Sequence, residues 1–489
     1  MSPAKQQSAS RRIAFAAFMD CTAKFELQAY YWARSLIESG TAESPGDIHL
    51  FVPEQLPAPP QWALQAGIRV VPIAYWDRRH PFCNKLGLWR EELFDGYTDI
   101  CFTDCDLFFV RRPQLPLTGG IAAALVDREN PRWPELAEVF AAAGLPVPEP
   151  VPVRWSDNPL HVTAPTNCNG GFYLVSRRLI GPLGSAWSRW ARWLLDRPSI
   201  AMPLGAHVDQ IALCLALSER GTAVTPLPDS VNIPTHLGKL PGSFSDPPAV
   251  LHYHSHFDNR GNLRSTGTAA VDAAIADANR MIEGWKRSGF DNRVFWNARY
   301  ALFPDLGSGI GSRGSVLEDK RALIRPFANG FGSTIDIGCG DLEVSRGMPF
   351  QDYLGVDVAD QALTLARDKE PGRAFVTMAE FLSGGQSADL VLCLDVLIHQ
   401  SHYRDYLGLI DLAVTRARDL VIISGYDADP EFLSSMVFYH EPIGHRLKAH
   451  AQLRRADIIG RYRDIVVYAA VKKHGGLDKD ARQEDPRVG

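Results

Sequence analysis

The sequence predicts an α/β chain of at least two domains. Apolar runs of strand length alternate with helix-like stretches along most of it. Its 489 residues exceed what one domain holds at ~100–200 residues each. A Gly-rich turn placed directly after an apolar strand, around 334–341, opens a second strand–helix series late in the chain.

In the first series, strands are expected at 13–18, 48–52, 70–73, 100–103, 121–126 and 171–175. The first follows Arg11-Arg12 and so imitates a signal peptide, but no small-residue cleavage site follows a long apolar core, and a strand explains it better. A helix is expected at about 30–38. Another starts near His207, where Val208, Ile211, Ala212 and Leu215 recur at helical spacing, and Gly221 is placed to end it. Pro-rich stretches at 145–153 and 226–248 read as functional covers over one domain. Residues 269–289 read as helix, and a domain boundary is expected near 288. Beyond it come a helix at about 317–327 and strands at 334–337, 353–356, 374–377, 390–394, 420–424 and 465–471, then a polar tail over 473–489.

Composition excludes several classes. Apolar residues make up 46% and charged residues 22%, an ordinary globular balance. The formal net charge is −5 with no block of Lys and Arg, so a nucleic-acid partner has no electrostatic support. Eight cysteines form no CxxC pair, and Cys101, Cys214 and Cys393 sit in apolar runs. Reduced, buried thiols in a cytoplasmic protein are expected. No apolar run approaches the ~18–20 residues that span a bilayer, which leaves peripheral association with a membrane open.

The sharpest motif of the first half is Phe102-Thr103-Asp104-Cys105-Asp106, where a strand ends in carboxylates at i and i+2. In extended chain these point the same way, so Asp104 and Asp106 are expected to converge on Mn²⁺ or Mg²⁺, which favour oxygen ligands and keep positions open for phosphate. Asn169-Gly170-Gly171 opens a strand with two glycines, permitting close approach to a ligand. Asp209-Gln210 stands in the first turn of a helix. His252 follows an apolar strand start as a third cation ligand, with His254 and His256 as rivals on the same strand face.

In this order, residues 10–260 resemble the GT-A-fold glycosyltransferases, particularly the retaining group related to glycogenin and bacterial galactosyltransferases. The resemblance implies a Rossmann-like mixed sheet and a nucleotide-sugar donor. It implies manganese on Asp104, Asp106 and His252, donor-sugar contacts from Asn169, Gly170 and Gly171, and Asp209 and Gln210 near the anomeric carbon. It also implies Lys85 near the donor and Asp20 near the nucleotide base. The Gly-x-x-Lys-Pro-Trp segment of that group is replaced here by Ser255-His256-Phe257-Asp258. Retention and inversion both remain open: inversion if Asp209 is a general base, retention if the donor phosphate takes the proton.

In the second half, Asp336-Ile337-Gly338-Cys339-Gly340 turns an apolar strand sharply, and Asp357 ends the next strand, where an acid accepts ribose hydroxyls. Asp395 ends the fourth strand. NAD is the rival cofactor, but Glu343 stands where its fingerprint wants glycine and would repel a pyrophosphate, whereas S-adenosylmethionine (SAM) has no phosphate. Residues 290–470 resemble the class I SAM-dependent methyltransferases. That resemblance assigns Asp336, Gly338, Gly340 and Asp357 to the cofactor, and Asp395 is expected to join them. The segment 307–314 reads as a lid, with a plain linker as the alternative. His399 is the first candidate base and His440 the second.

The expected domains are therefore a glycosyltransferase over 10–287 and a methyltransferase over 288–472. The expected function is a bifunctional transferase acting on a glycan or lipid-linked glycan acceptor of bacterial surface polysaccharide or glycolipid synthesis. The alternative is a SAM-dependent O-methyltransferase whose first half is a non-catalytic glycan-binding module.

Overall fold

The computed structural model describes residues 11–473 apart from 118, 157, 238–239, 241–243, 431–432 and 434–435. All but the first residue of the expected polar tail lies outside the described residues. Two compact units divide within the helix Ala269–Gly289, one ending at Met281 and the other beginning at Ile282, with 259–261 counted in the second.

The first unit carries strands β1 (Ile13–Phe18), β2 (Ile48–Pro53), β3 (Arg69–Ile73), β4 (Asp99–Thr103), β5 (Leu107–Phe109), β6 (Ile121–Leu125), β7 (Val151–Pro152), β8 (Val162–Thr163), β9 (Cys168–Ser176), β10 (Val224–Pro226), β11 (Ile233–Pro234) and β12 (Val250–His252). Seven form the main sheet in the order β10-β6-β9-β4-β1-β2-β3. It is mixed: β9 runs antiparallel to β4 and β6, and the other pairs are parallel. β1 is central and reads Ile-Ala-Phe-Ala-Ala-Phe, with Ala14 to Ala17 buried on both faces. A continuous apolar run suits a strand covered on both sides better than an alternating one. A second sheet, β11-β12-β5, sets short strands beside the ends of β4 and β9.

Two helices depart from expectation. The first begins earlier, at Ala23, because Thr22 caps it by accepting from Phe25 N at 3.3 Å. The helix Arg177–Leu195 is absent from the expected elements because Gly181, Pro182 and Gly184 read as helix breakers, although Ile180, Leu183, Trp187, Trp190 and Leu194 recur along one buried face. Its Gly184 lets Trp89 approach, where an added Cβ would lie 3.2 Å from the Trp89 Cβ. Trp89 in turn stacks on Phe102 of β4 at 4.6 Å. The helix Val208–Glu219 stands where its periodicity places it, and Gly221 follows with φ 59°.

The second unit carries β13 (Thr334–Ile337), β14 (Tyr353–Asp357), β15 (Ala374–Thr377), β16 (Ala388–Cys393), β17 (Ala417–Tyr426), β18 (Leu453–Tyr462) and β19 (Ile465–Lys472). The sheet order is β15-β14-β13-β16-β17-β19-β18. The first five strands are parallel and β19 is antiparallel to both neighbours. The parallel order reverses between β13 and β16, the crevice where doubly wound sheets bind ligands. β18 carries no clean strand pattern in the sequence because, as an edge strand, it buries too few residues to alternate. Both halves are thus Rossmann-like α/β sheets, as the sequence predicts.

Candidate active sites

The first site forms where β4 ends. β5 pairs antiparallel with β12, setting His252 opposite Leu107, and Tyr253 N donates to Asp106 O at 3.1 Å. This brings His252 Nε2 to 3.3 Å from Asp106 Oδ1. The strand ends there. His254 takes φ 50°, which swings its ring to 3.9 Å from that of His252 and its Nδ1 to 3.3 Å from Asp106 Oδ2. His254 therefore joins through a left-handed turn and not through strand alternation, and His256 is carried out of the group. Donor atoms of Asp106, His252 and His254 all lie within 4.8 Å of one another.

Buried polar atoms normally find partners. Asp106 Oδ1 and both ring nitrogens of His252 are buried without a hydrogen bond. Although Nε2 and Oδ1 are close, they are not aligned as donor and acceptor. A cation bound by all three residues would satisfy Asp106 Oδ1 and one of the two His252 nitrogens, so the donor set fits a metal. Two imidazoles and one carboxylate suit Mn²⁺ better than oxygen-seeking Mg²⁺. Burial disfavours charge on Asp106, yet His252 and His254 hold its carboxyl well below the usual range. Burial likewise opposes charge on His252, and Asp106 outweighs it and raises the imidazole.

Asp104 is not one of the three donors grouped with Asp106. Its Oδ1 accepts from Lys85 Nζ at 2.8 Å, and the same ammonium lies 3.4 Å from Asp209 Oδ2 and donates to Gly170 O at 3.2 Å. A buried cation between two carboxylates draws Asp104 away from the cation set. Burial opposes the Lys85 charge, but Asp104 and Asp209 lift it above the usual lysine value. Asp209 is itself 2% exposed, and burial pushes its carboxyl up. Trp187 Nε1 donates to its backbone carbonyl at 2.7 Å. Gln210 Oε1 accepts from Gly170 N at 2.8 Å, and its amide meets His207 Nδ1.

The two glycines serve this constellation of side chains. A Cβ on Gly171 would sit 2.5 Å from His252 Cε1, and one on Gly170 would sit 3.1 Å from Lys85 Nζ. Asn169 is a brace. Its amide donates to Asp127 Oδ2 at 2.7 Å, and its Oδ1 accepts from Gly171 N at 2.9 Å and Asn232 Nδ2 at 3.1 Å. Burial raises the Asp127 carboxyl to about 6. Asp20, past the end of β1, accepts from the Tyr75 hydroxyl at 2.7 Å. Asp127, Asn232 and Tyr75 were not singled out in the sequence, for no motif surrounds them.

The second site surrounds the turn after β13. Gly338 and Gly340 take φ 76° and 55°, which glycine alone adopts without cost. A Cβ at Gly338 would strike Val396, and one at Gly340 would lie 2.7 Å from the Tyr300 hydroxyl. Asp357 Oδ2 accepts from Gly340 N and Oδ1 from Ala359 N, each at 2.9 Å. A carboxylate has about four acceptor positions, so it retains room for ribose hydroxyls. The turn, its left-handed glycines and this acid fit SAM. Asp336 lies beneath the turn, accepting from Ser345 and, at 2.7 Å, from Tyr353.

Asp395 is engaged by its own chain. Lys320 and Tyr462 hold its two oxygens, and Ser424 Oγ binds its N–H at 2.8 Å. This leaves it less to offer a cofactor than Asp357. The segment before the helix Gly314–Ile324 is folded down. Arg313 reaches Asp341 at 2.8 Å, and Arg299 donates to Gly307 O at 2.9 Å. His399 Nδ1 donates to Met436 O at 2.6 Å, so the neutral ring carries its lone pair on Nε2. Burial lowers its pKa. His440 donates from Nε2 to Gln400 O at 2.8 Å and lies among the rings of Tyr403 and Tyr406.

No family model matches the chain, and no curated protein does. Solved structures share parts of it. Mouse xyloside xylosyltransferase 1, apo form, is 12% identical with a TM-score of 0.34, covering 50% of this chain and 98% of that one. Magnesium protoporphyrin IX methyltransferase from Synechocystis PCC 6803 with bound SAM is 18% identical, with a TM-score of 0.26 over 45% of this chain and 99% of that one. The N-methyltransferase NodS from Bradyrhizobium japonicum with S-adenosyl-L-homocysteine is 14% identical, with a TM-score of 0.26 over 32% and 87%. Identities and scores of this size say nothing about substrate, and the fold reading stands on strand order and register.

Proposed function

We propose that the first unit transfers a sugar from a nucleotide-sugar donor and the second a methyl group from SAM, both to a glycan acceptor of surface polysaccharide or glycolipid synthesis. One observation carries the first half: the unpartnered Asp106 Oδ1 and His252 ring converge with His254 beside the buried ammonium of Lys85. Bound Mn²⁺ supplies the charge that neutralises a departing diphosphate. Asp106, His252 and His254 are its protein ligands. Lys85 adds a second fixed positive charge, oriented by Asp104 and Asp209. Gly171 admits the His252 ring, and Gln210 fixes the Gly170 backbone against which the donor sugar rests.

Asp209 turns its carboxylate to Lys85 and is buried, so it is badly placed to take an acceptor proton. This favours retention, with the donor phosphate as base.

In the second unit SAM supplies the electrophilic methyl group. Asp357 accepts the ribose hydroxyls, and the glycine turn keeps side chains out of the cofactor's path. His399, neutral through burial and with Nε2 as acceptor, takes the proton from an acceptor hydroxyl. His440 is the second candidate. A cytoplasmic location is part of this reading, and cysteines without disulfides are compatible with it.

The test is Mn²⁺-dependent hydrolysis across a panel of nucleotide sugars, with Asp106→Asn as control. Loss of hydrolysis in that variant is expected. A chain that binds glycans yet cleaves no donor with Mn²⁺ would leave the first unit as a binding module for the methyltransferase.

A further inference from the structure

We propose that one face of the first unit docks on an anionic lipid surface and so presents the sugar site to a lipid-linked acceptor. The presentation rests on the function above; the docking does not.

Two segments build the face. Residues 76–82 are tied back by Asn84, whose Oδ1 accepts from Trp76 N at 3.0 Å. They lie against residues 192–205: Arg79 pairs with Asp196 at 2.9 Å, and His80 Nε2 donates to Gly205 O at 2.9 Å. The Arg192 guanidinium stands 5.4 Å from the centre of the Trp76 ring, and that of Arg197 stands 4.6 Å from the centre of Trp193. Met202 is 79% exposed and Phe82 50% exposed, while Trp76, Trp193, Leu195 and Ile200 are half-buried. Large apolar and aromatic side chains gathered on one surface mark an interaction site.

Charge selects the partner. Arg79 takes both nearby carboxylates, Asp77 at 2.7 Å and Asp196. Arg78, Arg192 and Arg197 then have no ion-pair partner among the described residues. Four arginines, Arg78, Arg79, Arg192 and Arg197, against the two carboxylates leave the face a net charge of +2, which suits a plane of phosphates. Tryptophan seats at headgroup depth, arginine meets phosphate, and an exposed methionine and phenylalanine enter the acyl boundary. The face also borders the sugar site, since Phe82 shares the short helix Pro81–Leu88 with Lys85.

The experiment is flotation of the full chain with vesicles of phosphatidylcholine alone or mixed with phosphatidylglycerol. Binding to the mixed vesicles, weakened by salt, is expected. Arg192→Glu with Arg197→Glu should weaken it by on the order of thirtyfold or more, and Met202→Asp should weaken it separately. Leu160→Asp, an equally exposed apolar residue outside the face, should leave it unchanged. Melting curves identify any variant that fails to fold, and the salt response of the unaltered chain needs no variant. Indifference to phosphatidylglycerol, or full binding by the charge-reversed and Met202 variants, would overturn the proposal. Donor hydrolysis measured without vesicles reads the transferase separately, so loss of either result leaves the other interpretable.

Discussion

Gly171 is the residue on which the cation site turns. An added methyl group meets the His252 ring at 2.5 Å, so Gly171→Ala must displace a ligand or shift β9. Overpacking of this kind costs about 1–3 kcal/mol. The variant is expected to lose Mn²⁺ affinity more than stability, which isothermal titration and thermal melting will separate. Asp357 gives a pH signature. Burial raises its carboxyl to about 6 against the favourable N–H bonds of Ala359 and Gly340. The native chain therefore keeps this proton when an unfolded aspartate, at about 4, has lost it. This carboxyl's contribution to stability falls as pH rises from about 4 to about 6. Ribose binding needs the ionised form, so SAM affinity should fall up to about tenfold per unit as pH drops below 6. Titration of SAM binding between pH 5 and 8 checks this, and a flat profile would contradict it. Asp106, His252, the paired glycines and Asp357 were legible because a strand end or a Gly-x-Gly turn frames each. The capture of Asp104 by Lys85 was not, because an ion pair between residues 85 and 104 leaves no local pattern.

At the scale of elements, strands were read well wherever they are buried on both faces. The misses share a cause. The helix Arg177–Leu195 hides behind Pro182, and β18 behind its exposed edge. Both are specified by what packs on them. The segment 307–314 reads as a lid or a plain linker, and in the fold it is tied down at both ends. Arg313 holds Asp341, and Gly307 leaves no room for a Cβ between them. Arg313→Ala removes a charged hydrogen bond worth about 1.5–3 kcal/mol, although Lys369 still partners Asp341 at 3.0 Å. Faster amide exchange across 303–314 and quicker SAM dissociation are expected. Unchanged exchange there would show that the segment is held by other means.

Across the whole molecule, each unit has its own sheet, its own buried core and its own candidate site. The two activities should therefore be lost one at a time. Asp106→Asn should abolish donor hydrolysis and leave the SAM-induced rise in melting temperature intact; Asp357→Ala should do the reverse. Simultaneous loss in either variant would contradict two separate sites. The cation ligands also have a history within the folding chain. Asp106 and His252 lie far apart in sequence and meet only through the three-residue pairing of β5 with β12. Closing so long a loop is slow and entropically costly. A nascent polypeptide thus cannot assemble this trio until synthesis has passed residue 254, and a cation that binds there would act as a late clasp, never as a template.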